Sequence, residues 1–249
     1  MDFSRRSYQK ELLDRTDIPF IDIKRNMQEL NFINTYLGGH SITLAGLKGL
    51  LSISPVSIDR KVSICEIGCG GGDNLKAVDI WCKKNNIKAS FIGIDINADC
   101  IKVANEACKE LPATFVHSDY KEVNFHEKPG IIFSSLFCHH FSNEELVNML
   151  TWMRKNSTKG FFINDLHRHS IAYYSIKWLS WIFSKSYLVK NDAPLSVARG
   201  FTKPEWIALL NSAKLTNFKI DWKWAFRWLI IAPNSNESPS LLNQSEHTH

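Results

Sequence analysis

Four glycines within five residues set the strongest constraint on what this chain of 249 residues can fold into. Gly68, Gly70 and Gly72 follow Lys61 to Ile67, a short apolar and β-branched segment that ends as a buried parallel strand does. The segment after them predicts a helix capped by Asp73 and ending near residue 84. Because glycine lacks a Cβ atom, such a loop turns tightly and its backbone can touch a ligand. The loop therefore predicts a binding cradle at the carboxyl edge of a parallel sheet.

The rest of the chain alternates between strand and helix signals. Further strands are predicted at 90–95, 113–117, 130–136 and 159–165, with a closing hairpin at 217–223 and 225–232. Helices are predicted at about 97–111, 143–155 and 202–213, the last two from capping-box spacing. The alternation implies right-handed crossovers between parallel strands. The predicted fold class is α/β, a Rossmann-like, doubly wound, mostly parallel sheet of seven strands with helices on both faces.

Two regions fall outside this alternation. Residues 1–58 are predicted to form an N-terminal helical cap, with a helix stop at Gly38-Gly39 and a second helix from about Thr43 to Leu51. Residues 169–200 are predicted to be an insertion within the α/β domain, which spans 59–232. The tail at 233–249, rich in Asn and Ser, is predicted to be disordered.

Composition narrows the class of protein further. The sequence contains no apolar run of the roughly 20 residues that a transmembrane helix needs, and its start lacks the apolar core of a signal peptide, so a cytoplasmic protein is expected. Six cysteines stand singly in apolar segments, which predicts reduced, buried thiols. The net charge of +5 is scattered over the chain, so nucleic acid is not indicated as a partner. The sequence is compatible with a monomer or a homodimer.

Carboxylates mark further strand ends. Asp95 ends the strand at 90–95, where a carboxylate can accept hydrogen bonds from both hydroxyls of a ribose. An NAD-dependent oxidoreductase uses the same acid, so Asp95 alone leaves that alternative open. A dinucleotide fingerprint starting at Gly68, however, requires glycine at position 73, where Asp73 stands. A carboxylate at that position would repel a pyrophosphate.

The spacing of Glu66, Gly68, Gly70 and Gly72 resembles that of class I S-adenosylmethionine-dependent methyltransferases, from about residue 61 to 165 and more loosely to 232. The resemblance implies S-adenosyl-L-methionine as cofactor, with its amino-acid half near Glu66 and the glycines and its adenine recognised by Asp119. The expected cofactor-binding residues are Glu66, Gly68, Cys69, Gly70, Gly72, Asp95, Ile96, Asp119, Tyr120 and Leu136. A non-catalytic module that only binds this cofactor is the second alternative.

The reacting side of the pocket is predicted from two histidine-containing segments. The resemblance places Cys138-His139-His140 beside the transferable methyl group, where His140 is the first candidate for the base that deprotonates an acceptor. Asp165 and His167, at the end of a later strand, are the other catalytic candidates. A structural alternative joins Asp165, His167 and Arg168 in an ion-pair network. No metal site is predicted, because adjacent residues do not easily converge on one ion.

The insertion supplies the last prediction. Residues 171–183 are apolar nearly all round a helix, interrupted by Lys177, so this helix must be covered by other helices, a partner or a ligand. In enzymes of the resembled family the N-terminal helices and such an insertion form a lid, which would here be aromatic. A small hydrophobic acceptor is expected, hydroxylated and aromatic or polyketide-like, as in bacterial methyltransferases of secondary metabolism. Quinone C-methylation, a tRNA or protein acceptor and peripheral membrane contact stay open.

Overall fold

A computed structural model describes residues 2–15, 17–56 and 60–234. Within these ranges seven strands form one sheet in the order β3-β2-β1-β4-β5-β7-β6. The first five are parallel, and the last two run antiparallel to their neighbours. The strands are β1 Val62–Ile67, β2 Ala89–Asp95, β3 Ala113–His117, β4 Ile131–Ser135, β5 Gly160–Leu166, β6 Lys219–Lys223 and β7 Arg227–Pro233. The predicted fold class is confirmed.

Eight α-helices accompany the sheet in the described ranges. They are α1 Phe20–Tyr36, α2 Gly39–Ile53, α3 Asp73–Lys84, α4 Ala98–Ala107, α5 Asn143–Asn156, α6 Ser170–Phe183, α7 Tyr187–Arg199 and α8 Lys203–Ser212. None of them is long and apolar enough to cross a membrane. Both predicted capping boxes are present, at Ser142 with Glu145 and at Thr202 with Glu205.

Each face of the sheet carries its own apolar core. On one face α5 and α8 pack Leu146, Met149 and Trp206 against the strands. On the other face α2 and α3 contribute Leu47 and Val78 among other buried side chains. The central strands are buried on both faces, which explains why they are continuous apolar runs in the sequence. The six cysteines are all buried as free thiols, as predicted.

Two helix starts differ from the sequence-based prediction. Helix α2 begins at Gly39 and not near Thr43, because only Leu37 and the left-handed Gly38 (φ +75°) separate it from α1. Helix α3 begins at Asp73 but is not capped by it. Its N-cap is Gly72, whose left-handed backbone (φ +79°) turns the chain into the helix without a side-chain hydrogen bond.

A third layer covers the carboxyl edge of the sheet. Helix α1 contacts α4 and α7, and α7 in turn contacts α6. The predicted division at residues 58 and 59 and most of the predicted tail lie outside the described residues. The position of this layer makes it one side of the site described next.

Candidate active site

The carboxyl ends of the parallel strands border a cavity of about 1010 Å³. Three of its lining residues lie at the ends of β2, β1 and β4, which are consecutive strands in the sheet. They are Asp95, Gly68 and Leu136. Helices α1, α6 and α7 supply the other walls. Except for Glu66 and Gly72, all the cofactor-binding residues predicted from the sequence are part of this lining.

The glycine loop is fixed by its own backbone and by its neighbours. Gly68, Gly70 and Gly72 all have left-handed φ angles, of +69°, +50° and +79°. A Cβ atom at Gly68 would stand 2.3 Å from the ring of Phe137, and one at Gly72 would stand 2.7 Å from Cys108 Sγ. At Gly70 the nearest atom is 3.3 Å away. Packing therefore explains Gly68 and Gly72, and the predicted close approach of a ligand applies best to Gly70.

Glu66 lies behind this loop and is completely buried. Its Oε1 accepts a hydrogen bond of 2.8 Å from Asn74 Nδ2, whereas Oε2 has no hydrogen-bond partner in the described chain. Burial raises the pKa of Glu66 well above its usual value, although the bond from Asn74 opposes this effect. A buried oxygen without a partner is costly, so this carboxyl is suited to a polar or cationic ligand group. Asn74 itself lines the cavity.

Asp95 ties the glycine loop to β2. Its Oδ2 accepts from the Gly70 N–H and its Oδ1 from the Asn97 N–H, both at 2.9 Å. Burial raises the pKa of Asp95, and these two hydrogen bonds partly offset the rise. Each carboxylate oxygen keeps a second lone pair, so Asp95 can still accept hydrogen bonds from a diol.

The residues that follow β3 are more exposed to solvent than Glu66 in β1. Asp119 Oδ1 accepts from the Lys121 N–H at 3.0 Å and caps the 3₁₀ turn Tyr120–Glu122. Tyr120 is buried, and its hydroxyl has no hydrogen-bond partner among the described residues. Ile96 lines the same end of the cavity with two thirds of its surface exposed (66%). A ligand group at this end of the cavity would meet the Asp119 carboxylate and the aliphatic side chain of Ile96.

Leu136 carries an unusual backbone at the end of β4. Its φ angle is +54°, a left-handed conformation that costs a non-glycine residue about 1–2 kcal/mol. Its N–H donates to the Asn164 carbonyl at 2.8 Å, which holds the turn in place. Backbone strain of this kind concentrates at functional sites. The sequence carries no signal for it.

His139 is a buried cation. Its Nδ1 lies 2.8 Å from Asp165 Oδ1, and its Nε2 lies 3.5 Å from Glu11 Oε1. Burial opposes protonation, but these two carboxylates outweigh it and raise the pKa of His139 to about 9. The same contacts hold the pKa values of Asp165 and Glu11 below their usual range in spite of burial. Asp165, predicted to act on an acceptor, instead orients His139 and is fully buried.

His140 shares Glu11 with His139, and both line the cavity, but His140 is the more exposed of the two. Its Nε2 lies 3.7 Å from Glu11 Oε2, its Nδ1 lies 3.2 Å from Asp14 Oδ1, and its side chain is 21% exposed. His140 lines the cavity, as do Glu11 and Asp14. The N-terminal segment thus supplies two carboxylates to a histidine pair that lies more than 120 residues later in the chain.

Two buried arginines hold the turn that presents these histidines. Arg199 donates to the carbonyl oxygens of His139 at 3.0 Å and His140 at 2.9 Å. Arg6 donates to the His139 carbonyl at 3.2 Å and to Phe141 at 3.0 Å. The four carbonyl contacts fix the 3₁₀ turn Cys138–His140. Neither arginine was predicted, since nothing near them in sequence indicates this contact.

Among the described residues, Glu11, His139 and His140 also form a group that could hold a metal ion. One ligand atom of each lies within 4.8 Å of the others. The turn therefore does bring adjacent histidines together, contrary to the reasoning from the sequence. The ion pairs with Glu11, Asp14 and Asp165 account for the arrangement without a metal.

The structure places His167 away from the cavity lining. Its Nδ1 accepts from Trp222 Nε1 at 3.2 Å, and its ring lies beside Trp228. Burial, with the charge of neighbouring groups, lowers its pKa. Arg168 forms a two-pronged ion pair with Glu205, at 2.8 and 2.9 Å. The alternative network joining Asp165, His167 and Arg168 is therefore replaced by three separate pairings.

The lid contributes many aliphatic side chains to the cavity, beside polar ones such as Asn26, Ser175 and Asp192. The aliphatic side chains include Leu13, Ile18 and Ile23 from the N-terminal region, Ile176 and Leu179 from α6, and Val189 and Val197 from α7. The predicted lid is thus present, built from the N-terminal helices and the insertion. Its aromatic side chains, however, face solvent: Trp178 is 62% and Trp181 72% exposed.

Comparison with known proteins agrees with this geometry. Residues 64–160 match the model of a family described as a methyltransferase domain. No curated protein matches the chain. The plantazolicin methyltransferase BpumL in complex with SAH aligns with a TM-score of 0.61 at 19% identity, over 87% of this chain and 91% of that one. The magnesium protoporphyrin IX methyltransferase ChlM of Synechocystis PCC 6803 with bound SAM gives 0.55 at 12%, over 86% and 91%.

At identities of 12–19%, the structural similarity shows that the fold is shared and no more. The segment that matches the family model contains the glycine loop and the three acidic residues at strand ends. The predicted oxidoreductase alternative finds no support in either. Residues 64–160 of the chain are thus similar to a methyltransferase domain, and the chain has the fold of the methyltransferases BpumL and ChlM.

Proposed function

We propose that this protein transfers the methyl group of S-adenosylmethionine to the hydroxyl group of a small hydrophobic acceptor, of the hydroxylated aromatic or polyketide-like class. The observation that carries the proposal is the division of one cavity into two halves. Carboxylates and glycine backbone border the half that we assign to the cofactor, and many aliphatic side chains, with a few polar ones, border the other. A volume of about 1010 Å³ is at the upper end of the range for small-molecule sites, about 300–1,000 Å³, so cofactor and acceptor fit together.

The cofactor half fits a cationic nucleoside. Glu66, Asp73, Asp95 and Asp119 all lie in or directly behind it, and S-adenosylmethionine carries a sulfonium and an ammonium group. We assign its amino-acid half to the glycine loop and Asn74, with Glu66 behind them, and its ribose to Asp95. Asp119, Ile96 and Leu136 would border the adenine. The same carboxylates would repel the pyrophosphate of a dinucleotide.

S-adenosylmethionine supplies a methyl group on a positively charged sulfur. Because that charge disappears during transfer, the protein has chiefly to align donor and acceptor and to exclude water. Helices α1, α6 and α7 cover the acceptor half and would do both. A hydroxyl acceptor must also lose its proton.

We assign the proton acceptor to His140, because it is the more exposed of the two histidines that line the cavity, whereas His139 is a buried cation and His167 lies outside the lining. Glu11 and Asp14 would hold its ring and stabilise the imidazolium that forms, and Asp165 would act indirectly through His139. A tRNA or protein acceptor is disfavoured by the many aliphatic side chains of the lining. Quinone C-methylation also releases a proton, from the methylated ring carbon, so identification of the methylated atom in the product distinguishes the two acceptor chemistries.

Cofactor binding is tested by calorimetry on the full chain with S-adenosylmethionine, S-adenosylhomocysteine and NADH. We expect binding of the first two and none of NADH. Asp95→Ala should weaken binding of S-adenosylhomocysteine by at least about tenfold, since one charged hydrogen bond contributes about 1.5–3 kcal/mol. Lys84→Ala, on the far end of α3, is the control. Absence of binding of both adenosyl compounds at millimolar concentration would refute the proposal.

The base is tested by replacing each histidine in turn. With a panel of hydrophobic phenols and release of S-adenosylhomocysteine as readout, His140→Gln should lower kcat by about 10²–10⁴ while leaving cofactor affinity unchanged. His167→Gln should leave kcat within a factor of two or three. Equal losses in the two variants, or full activity of His140→Gln on a hydroxyl acceptor, would remove His140 from this role.

A further inference from the structure

Helix α6 presents an apolar face to solvent. Its exposed side chains are Ile171 (59%), Tyr174 (56%), Trp178 (62%), Trp181 (72%), Ile182 (43%) and Phe183 (72%). Most of them recur at intervals of three or four residues, so they form one stripe along the helix. The opposite side, with Ala172, Ile176 and Leu179, lines the cavity. A helix that is apolar all round but half exposed requires a second environment for its outer face.

The segment that carries this stripe has charges of one sign. Between residues 166 and 191 the sequence contains no Asp or Glu, whereas Lys177, Lys185 and Lys190 are all exposed. The acids that face the C-terminal end of the helix from α1 are engaged. Glu29 accepts hydrogen bonds from the Ser184 hydroxyl and from the Lys185 N–H, and Asp22 lies 3.5 Å from the Tyr187 hydroxyl.

We propose that the exposed face of α6 lies against the surface of a lipid bilayer that contains anionic lipids. Trp and Tyr side chains favour the boundary between headgroups and acyl chains, and lysines beside them pair with anionic headgroups. A helix of 14 residues is too short to cross a bilayer but suits an orientation in the plane of its surface. Lys177 can extend its ammonium group from the apolar stripe to the headgroups.

A second copy of this chain is the less suitable occupant. The centres of protein interfaces are depleted in lysine, whereas Lys177 stands directly before Trp178 within the stripe. A stable dimer also buries about 800 Å² on each partner, and one convex helix presents little of the flat area that this requires. Anionic lipid satisfies the aromatic rings and the lysines together.

The placement gives α6 two sides with different roles. One side forms a wall of the cavity, and the other would contact acyl chains. A hydrophobic acceptor dissolved in the bilayer would then be separated from the cavity only by this helix and the edges of its neighbours. The membrane contact itself does not depend on methyl transfer, so it stands or falls separately from the proposed function.

The experiment is flotation of the full chain with vesicles of phosphatidylcholine alone and of phosphatidylcholine with one quarter phosphatidylglycerol, at low and high salt. We expect wild type to float with the anionic vesicles. Trp178→Glu/Trp181→Glu should lower the bound fraction by at least about tenfold, because it removes both interfacial anchors and adds repulsion. Lys177→Gln/Lys185→Gln/Lys190→Gln should weaken binding to anionic vesicles at low salt only.

The matched control is Ile80→Glu/Ile207→Glu, which places two charges at exposed isoleucines on α3 and α8. It should float like wild type, and circular dichroism should show all variants to be folded. Wild type that stays unbound with anionic vesicles, or equal losses in the control, would overturn the proposal. So would a wild-type dimer that does not bind lipid and that Trp178→Glu/Trp181→Glu converts to a monomer.

Discussion

At Gly68 two separate constraints act on one residue. The backbone is left-handed (φ +69°), and a Cβ atom would overlap the ring of Phe137 at 2.3 Å. Gly70 has the first constraint (φ +50°) but meets Met27 Sδ only at 3.3 Å. We therefore expect Gly70→Ala to lower the free energy of unfolding by about 1–2 kcal/mol and Gly68→Ala by about 2–5 kcal/mol. Urea denaturation measures both changes.

We attribute the larger destabilisation expected for Gly68→Ala to the ring of Phe137, and a double-mutant cycle tests this. Phe137→Ala removes the ring, so Gly68→Ala should cost less in that background, by about 1 kcal/mol or more. Gly70→Ala should cost the same in both backgrounds. Additivity of the Gly68 and Phe137 substitutions would show that the ring does not limit this position.

His139 makes stability depend on pH. Its pKa is raised from 6.5 to about 9 in the folded chain, so the stabilisation is complete below pH 6.5 and is lost as pH rises through about 9. A shift of this size corresponds to about 3 kcal/mol. Urea denaturation at several pH values between these limits should show the fall. His139→Gln should abolish this pH dependence. A wild-type free energy of unfolding that does not change between pH 6.5 and 9 would contradict the ion pairs of His139.

The residues assigned to the cofactor could be predicted from the local sequence. Asp95, Asp119 and the glycines lie at strand ends, and the ends of neighbouring parallel strands meet, so local pattern alone brings them together. Glu11 and Arg199 carry no such pattern. They reach His139 and His140 across 128 and 60 residues of sequence, through packing of layers that a local pattern does not describe.

At the scale of elements, α8 is joined to the start of the insertion by one carboxylate. Glu205 completes the capping box with Thr202 and also pairs with Arg168, whose side chain is only 1% exposed. Glu205→Ala should therefore lower the free energy of unfolding by about 2–4 kcal/mol, because it removes the cap and leaves a buried cation unpaired.

The control for this prediction is Thr202→Ala, which removes the cap alone and should cost about 1 kcal/mol. Glu205→Gln should fall between the two, since the amide oxygen still accepts from the Thr202 N–H. If Thr202→Ala and Glu205→Ala were equally destabilising in urea, the ion pair with Arg168 would contribute nothing.

The elements themselves were predicted with unequal success. Strands β1 to β5 are short apolar runs bounded by turns, and the central ones are buried on both faces, so their sequences identify them to within about one residue. Helix α6 was predicted, but not its orientation: Ile176 and Trp178 are both apolar, and periodicity cannot say which of them faces the cavity. The start of α2 was missed because Gly38 and Gly39 were both taken as a stop.

For the molecule as a whole, ligand binding should appear as stability. S-adenosylhomocysteine at 100 times its Kd should add about 2.7 kcal/mol to the free energy of unfolding. For a chain of this size that corresponds to a rise in Tm of about 5–10 °C. Thermal denaturation with and without the ligand measures it, with NADH as the control. An unchanged Tm at saturating ligand would mean that the cavity does not bind it in the folded state.

The contacts of residues 7–14 also govern when the cavity can be completed during synthesis. Ser7 donates its N–H to the Ala198 carbonyl, and the N–H groups of Leu12 and Leu13 donate to Asp192. A nascent chain on the ribosome can complete β1 to β5 while α7 has not yet been translated. Asp165 can pair with His139 as soon as β5 is complete, whereas Glu11 and Asp14 can be fixed beside the histidine pair only after α7 has been translated.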